Sequence, residues 1–244
     1  MKTVKKKTQL ERVVLLGVAL FASATVWGQT NVQEMYDFNR GHLVTTVEAF
    51  HADPWGNTFL FTDIYHPADV DVPTSFYTEI GRTISIGQTG WGIHLEWNGG
   101  NFANNAFMAG VDYSIHNADF SNVFTFRLMY KHVQGGTMIS PLQATFVWNM
   151  NGLFGVQGLQ FTGNIDWWHE EVAFPGHEPN KVGVFLSEPQ VWYNIGRHFG
   201  CPNLNVGGEL RIGYNFAGNW HSGADFELNR GFAVAPCLGA KWAF

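Results

Sequence analysis

Charge is scarce in this sequence, cysteine is scarcer, and past the N-terminus no apolar run is long enough to cross a bilayer as a helix. Only 14% of the 244 residues are Asp, Glu, Lys or Arg, against about 25% in ordinary soluble domains. Aromatic residues reach 16%, and a water-soluble surface with that balance would be hard to keep dispersed. Two cysteines, Cys201 and Cys237, rule out a disulfide scaffold and leave room for one bridge at most. The ten histidines are scattered, and no pair shows a ligand spacing such as H-x-x-x-H with a carboxylate nearby. Neither a metal nor a cofactor is therefore expected. Heptads, low-complexity tracts and fixed-period repeats are also missing.

The basic residues that do exist crowd the start. Lys2, Lys5, Lys6, Lys7 and Arg12 precede the apolar run Val13 to Val26, and Val26-Trp27-Gly28 offers small residues at the −3 and −1 positions of a cleavage site. This pattern predicts a secretory signal peptide over 1–28, with the folded domain spanning 29–244. The run is shorter than the roughly 20 residues of a spanning helix, and no cysteine follows it, which argues against a lipoprotein. The exported part keeps nine Lys plus Arg against nineteen Asp plus Glu, a net charge near −10. Nucleic acid polymers and anionic lipid patches both demand the opposite sign.

What the sequence has in quantity is period-two alternation. In the closing stretch "GFAVAPCLGAKWAF", Phe232, Val234, Pro236, Leu238, Ala240, Trp242 and Phe244 alternate with Ala233, Ala235, Cys237, Gly239, Lys241 and Ala243. Trp91, Ile93, Leu95 and Trp97 alternate with Gly92, His94, Glu96 and Asn98 in the same way. Strands are predicted near 31–38, 42–50, 57–66, 74–86, 90–98, 105–116, 122–133, 140–150, 156–170, 181–195, 203–217 and 231–244. The first is weakest, because "NVQEMYDFN" barely alternates. Connections at 51–56, 87–89, 117–121, 151–155 and 196–202 read as compact turns. Those at 67–73, 98–104, 134–139, 171–180 and 218–230 read as loops.

The fold class expected is all-β: a transmembrane antiparallel up-and-down barrel of twelve strands, an even number as bacterial barrels require. Its large apolar face meets lipid, and closure pairs every backbone group inside the bilayer. Trp91, Trp97, Trp148, Trp167 and Trp242 lie near strand ends, where interfacial girdles belong. The final aromatic strand, ending at Phe244, resembles the signature through which the barrel-assembly machinery recognises its clients. A soluble secreted sandwich would instead display Lys, Glu, Ser and Thr on its second face; here that face is Gly, Asn, Ala and a few carboxylates.

If charge faces inward, Glu48, Asp63, Glu79, Glu96, Asp112, Asp166, Glu188 and Glu209 line the lumen, with Arg127, Lys131, Arg211 and Lys241 among them. Such a set serves either as a hydrogen-bonded plug or as a pore with acidic surplus, suited to neutral or cationic solutes. The run "NTFLFTDIYH" is the most informative. Turning Asp63 inward also turns Phe59, Phe61 and Tyr65 inward, and Tyr77, Trp168 and Trp192 are candidates to extend that stripe. Aromatic faces suit flat solutes, since stacking a base on a ring is worth about 1–3 kcal/mol. Rim filling is the bland alternative.

"HLVTTVEAF", "PWGNTFLFTDI", "LEWNGG", "FLSEPQVWYN" and "LGAKWAF" together resemble a family of uncharacterised outer-membrane barrels distantly similar to the nucleoside-specific channel protein Tsx. The resemblance runs over nearly all of the exported chain. It implies a narrow, monomeric twelve-stranded barrel in the outer membrane that passes nucleosides passively. The match to the Tsx-like pattern falls on Phe59, Phe61 and Asp63; no complete nucleoside site matches residue by residue.

The competitor from another class is an outer-membrane lipid hydrolase, which needs a serine, a histidine and an orienting group in hydrogen-bond reach. His221 and Ser222 are adjacent and would point apart on a strand; His94 and Ser114 could both be lumenal. A closed barrel with a binding or structural role is a further alternative. The expectation carried forward is a non-enzymatic channel whose partners are lipid and a small solute.

Overall fold

Strands with one apolar and one polar face must hide one of them, and this chain does so by closing its sheet on itself. The computed structural model describes residues 29–69, 71–135, 137–172, 180–216 and 231–244. Its strands are β1 (Gln29–Asp37), β2 (His42–Asp53), β3 (Gly56–His66), β4 (Ser75–Ser85), β5 (Trp91–Gly100), β6 (Ala106–His116) and β7 (Asn122–Val133). They continue with β8 (Thr137–Asn151), β9 (Leu159–Val172), β10 (Asn180–Ser187), β11 (Gln190–Tyr193), β12 (Leu204–Tyr214) and β13 (Phe232–Ala243). Every neighbouring pair is antiparallel, and β1 meets β13 to complete the ring.

The expected strand over 181–195 is interrupted, yet it remains one stave. Ser187 stands opposite Ile212 and Gln190 opposite Glu209, so β10 and β11 share a register with no slip. The break falls at Glu188 and Pro189, because proline has no N–H to give to the ladder; its carbonyl still accepts from Leu210 N at 2.9 Å. The result is a closed twelve-strand transmembrane barrel.

The faces are inverted relative to a soluble protein. Leu43, Ile80, Ile93, Leu95, Phe107, Phe126, Leu142, Trp167, Leu210 and Leu238 are exposed on the outside. Gln33, Asp37, Thr46, Thr83, His94, Asn98, Asp112, Gln143, Arg211 and Lys241 are buried within. Trp91 and Trp242 sit exposed at strand ends as a girdle requires. Trp148 differs: it faces outward but is buried, lying over Gly163 directly opposite on β9. A Cβ at Gly163 would come within 2.7 Å of the Trp148 ring, so the aromatic ring fills the space that the glycine leaves.

The carboxylates of Asp53 and Glu34 break the inward rule: Asp53, at the end of β2, pairs with Arg82 at 2.6 Å on the outer face. Glu34 is exposed on the outer face of β1, between Ala240 and Thr45 in register. Thr45 Oγ1 donates to Glu34 Oε2 at 2.6 Å, and His66 Nε2 lies 2.8 Å from the same hydroxyl.

Loop length separates the two ends less sharply than expected. At one end, which also holds Gln29 and Phe244, the connections are 54–55, 86–90, 117–121, 152–158 and 194–203. The last is held by a 3-10 turn, Ile195–His198, whose first amides are capped by Asn194 Oδ1 accepting from Arg197 N at 3.0 Å. At the other end, hereafter the loop end, 38–41 is a four-residue turn, held by Asp37 Oδ1, which accepts from both Asn39 N and Arg40 N. The long connections expected around 171–180 and 218–230 fall largely outside the described residues. Cys201 and Cys237 both carry free thiols.

Candidate functional site

The β2–β3 register turns Phe59, Phe61, Asp63 and Tyr65 to the lumen, the last two opposite Thr46 and Val44, which are buried on the same face. Six residues of strand separate Phe59 from Tyr65, about 20 Å of barrel wall at strand rise. Across the next seam Tyr77 and Glu79 on β4 face the same way, opposite Asp63 and Phe61.

These rings form a connected track. Phe59 and Phe61 centroids are 6.1 Å apart, as are Phe61 and Tyr77. Phe102, from the connection 101–105, then joins Tyr77 at 6.4 Å and Tyr65 at 5.7 Å. At the loop end the Arg40 guanidinium sits 5.0 Å over the Tyr65 ring, and His42 meets that ring edge-on at 6.1 Å.

Carboxylates accompany the track. Asp63 accepts from Thr46 Oγ1 at 2.6 Å and from the Tyr65 hydroxyl at 3.2 Å. Glu79 accepts from the Tyr77 hydroxyl at 2.8 Å and from Asn98 Nδ2 at 3.0 Å. Glu48 accepts from Asn31 Nδ2 at 2.8 Å.

The other walls are knotted by hydrogen bonds. Thr83 Oγ1 donates to Asp112 Oδ2 at 2.5 Å and lies 2.9 Å from His94 Nδ1; His94 Nε2 is 2.9 Å from Glu96, which Arg127 approaches at 3.8 Å. Asp166 gathers Thr145, Gln143 at 3.1 Å and Asn164 at 2.6 Å. On the facing wall Arg211 pairs with Glu188 at 2.7 Å and with Glu209 at 3.7 Å, and Gln190 donates to Glu209 at 2.9 Å.

All the carboxylates expected in the lumen are turned there, together with Arg127, Lys131, Arg211 and Lys241. Tyr77 joins the aromatic stripe. Trp168 and Trp192 do not. Lys131 Nζ covers the Trp168 ring at 4.0 Å and Lys241 Nζ covers Trp192 at 4.7 Å, while Trp192 is 0% exposed. Trp192 also spends its indole N–H on Gln190 Oε1 at 2.8 Å.

Sequence reading missed Asp37, Gln33, Arg40 and Phe102. The first two follow from parity once β1 is accepted as a strand; a loop phenylalanine carries no periodic signal. His94 and Ser114 do not pair, since Ser114 bonds Thr125 at 2.8 Å; His221 and Ser222 lie outside the described residues. Among the described residues no cluster of His, Cys, Asp and Glu could hold a metal ion.

Solved structures share the architecture at low identity. The NanC porin aligns with TM-score 0.56 and 11% identity, over 87% of this chain and 98% of its own. The KdgM porin aligns with TM-score 0.47 and 8% identity, over 88% and 99%. A BenF-like porin from Pseudomonas fluorescens Pf-5 aligns with TM-score 0.41 and 12% identity, over 86% of this chain and 59% of its own. Of these, only the NanC likeness bears on the fold, and it bears on the fold alone. No curated protein matches the sequence. A family model does, across residues 27–244, and on that match the chain belongs to the family described as "Domain of unknown function (DUF5020)".

Proposed function

We propose that this chain is an outer-membrane passive channel for small planar solutes, with nucleosides the solutes its lumen suits best. The aromatic track from Phe59 to Phe102 carries the reading, because a water-lined pore has no need of five contiguous rings on one wall. Weak stacking on these rings orients a flat solute, while Asp63 and Glu79 accept hydrogen bonds from sugar hydroxyls. The porin-like fold supports the channel part of this reading.

Transport of this kind has no chemical step, so its mechanism is selective diffusion. Affinity must stay low at each position for the solute to leave, and a track of separate single-ring contacts gives that graded binding. In this reading residues 1–28 direct export, the loop end faces outward, and the barrel works as a monomer in lipid. β13, with Trp242 and Phe244 at its end, is the strand offered to the assembly machinery.

Liposome swelling with purified protein and a panel of nucleosides, sugars and amino acids tests the proposal. Nucleosides should enter faster than sugars of similar size. Equal rates across the panel would remove nucleoside preference, and no swelling with any solute would remove the channel.

A further inference from the structure

The loop end of the track has features that a uniform slide does not need. Phe102 belongs to an otherwise polar stretch, "NGGNFANN", and stays 59% exposed although it touches two lumenal rings. Its loop is clamped to the base of β4: Asn101 Oδ1 accepts from Phe76 N at 2.9 Å, Asn101 Nδ2 donates to Thr74 O at 3.2 Å, and Asn101 N donates to Phe76 O at 3.3 Å. These three bonds hold an apolar ring at the mouth, where solute arrives first.

The polar groups beneath that ring are one-sided. Tyr65 and Tyr77 both spend their hydroxyl protons, on Asp63 and Glu79, which leaves phenol oxygens that can only accept. Asp63 and Glu79 accept those two bonds and one more each, from Thr46 Oγ1 and Asn98 Nδ2. Asn98 donates its amide to Glu79, which fixes the amide orientation, and its Oδ1 has no partner although the residue is 6% exposed. A buried unpaired acceptor marks a place for a donor.

Building on the channel reading above, we infer that Phe102, Tyr65 and Tyr77 form an entry subsite for a heteroaromatic ring bearing exocyclic amino groups, with Phe102 as its specificity-determining residue. The rings stack the solute, and the acceptor-rich floor of Asp63, Glu79 and Asn98 engages its N–H groups. An amino ring therefore binds better than the same ring with an oxo group at that position, because an oxo group would face acceptors with no proton between them. Adenosine against inosine, and cytidine against uridine, are the matched probes.

The test is single-channel recording of the purified barrel in planar bilayers, with each nucleoside added on the loop side and its residence time read from current interruptions. Wild type should hold adenosine several-fold longer than inosine. Phe102→Ala should shorten adenosine residence about tenfold, the scale of one lost stack, and Phe102→Trp should restore it. Phe102 is exposed, so neither variant endangers folding. If Phe102→Ala behaves as wild type while nucleosides still outlast matched sugars, the entry subsite falls and the channel proposal stands. If the amino and oxo partners of each pair have equal residence times in wild type, the amino preference falls. If wild type does not separate nucleosides from sugars at all, both proposals fall together.

Discussion

Thr83 on β4 reaches over β5 to place its hydroxyl 2.5 Å from the carboxylate of Asp112 on β6. It can do so because the residue between them is Gly92, paired with Asp112 in register. A Cβ at that position would stand 2.5 Å from Asp112 Oδ1 and 2.5 Å from Thr83 Cγ2. Gly92→Ala is expected to break this bond and leave buried polar groups unpaired, a loss of about 1–3 kcal/mol. The midpoint of heat modification on a gel should drop; an unchanged midpoint would mean that the Thr83–Asp112 bond contributes nothing to the barrel.

Glu34 gives a second prediction. It lies on the apolar outer face, and its hydrogen-bond donor is Thr45. Thr45→Val keeps the shape and removes the donor, so it should destabilise the barrel by about 1–3 kcal/mol in urea titrations in vesicles. The double change Thr45→Val with Glu34→Leu removes both partners and should recover most of that loss. Non-recovery would point to Thr45 acting through His66 instead.

The lipid-facing band makes a third. Leu95 is exposed on the outside of β5, and arginine near the bilayer midplane costs roughly 2–4 kcal/mol. Leu95→Arg should therefore reduce the heat-modifiable, folded fraction recovered from membranes. Normal folding of that variant would argue that β5 does not meet lipid.

Much of this architecture could be read from residue order, and the exceptions have physical causes. Ile93 and Leu95 against His94 and Glu96 announce their faces, because a charged side chain on the lipid side of a membrane strand is costly. β1 was nearly illegible because Met35 lies inside and Glu34 outside, so hydrophobicity does not alternate although geometry does. The interruption at Pro189 is local chemistry within an intact register. Trp192 and Trp168 looked like stacking platforms, since a sequence shows the parity of a ring and not the lysine lying across it. Phe102 carries no signal in the sequence, because its position comes from Asn101 hydrogen bonds to a different strand.

The measurement closest to the centre of this account compares solute entry into liposomes carrying wild type or the double variant Phe59→Ala, Phe61→Ala. Nucleoside flux should fall by several-fold while flux of a sugar of similar size changes little, as expected when stacking partners are removed from the wall. Equal slowing of both solutes, or none of either, would contradict an aromatic track that guides planar molecules.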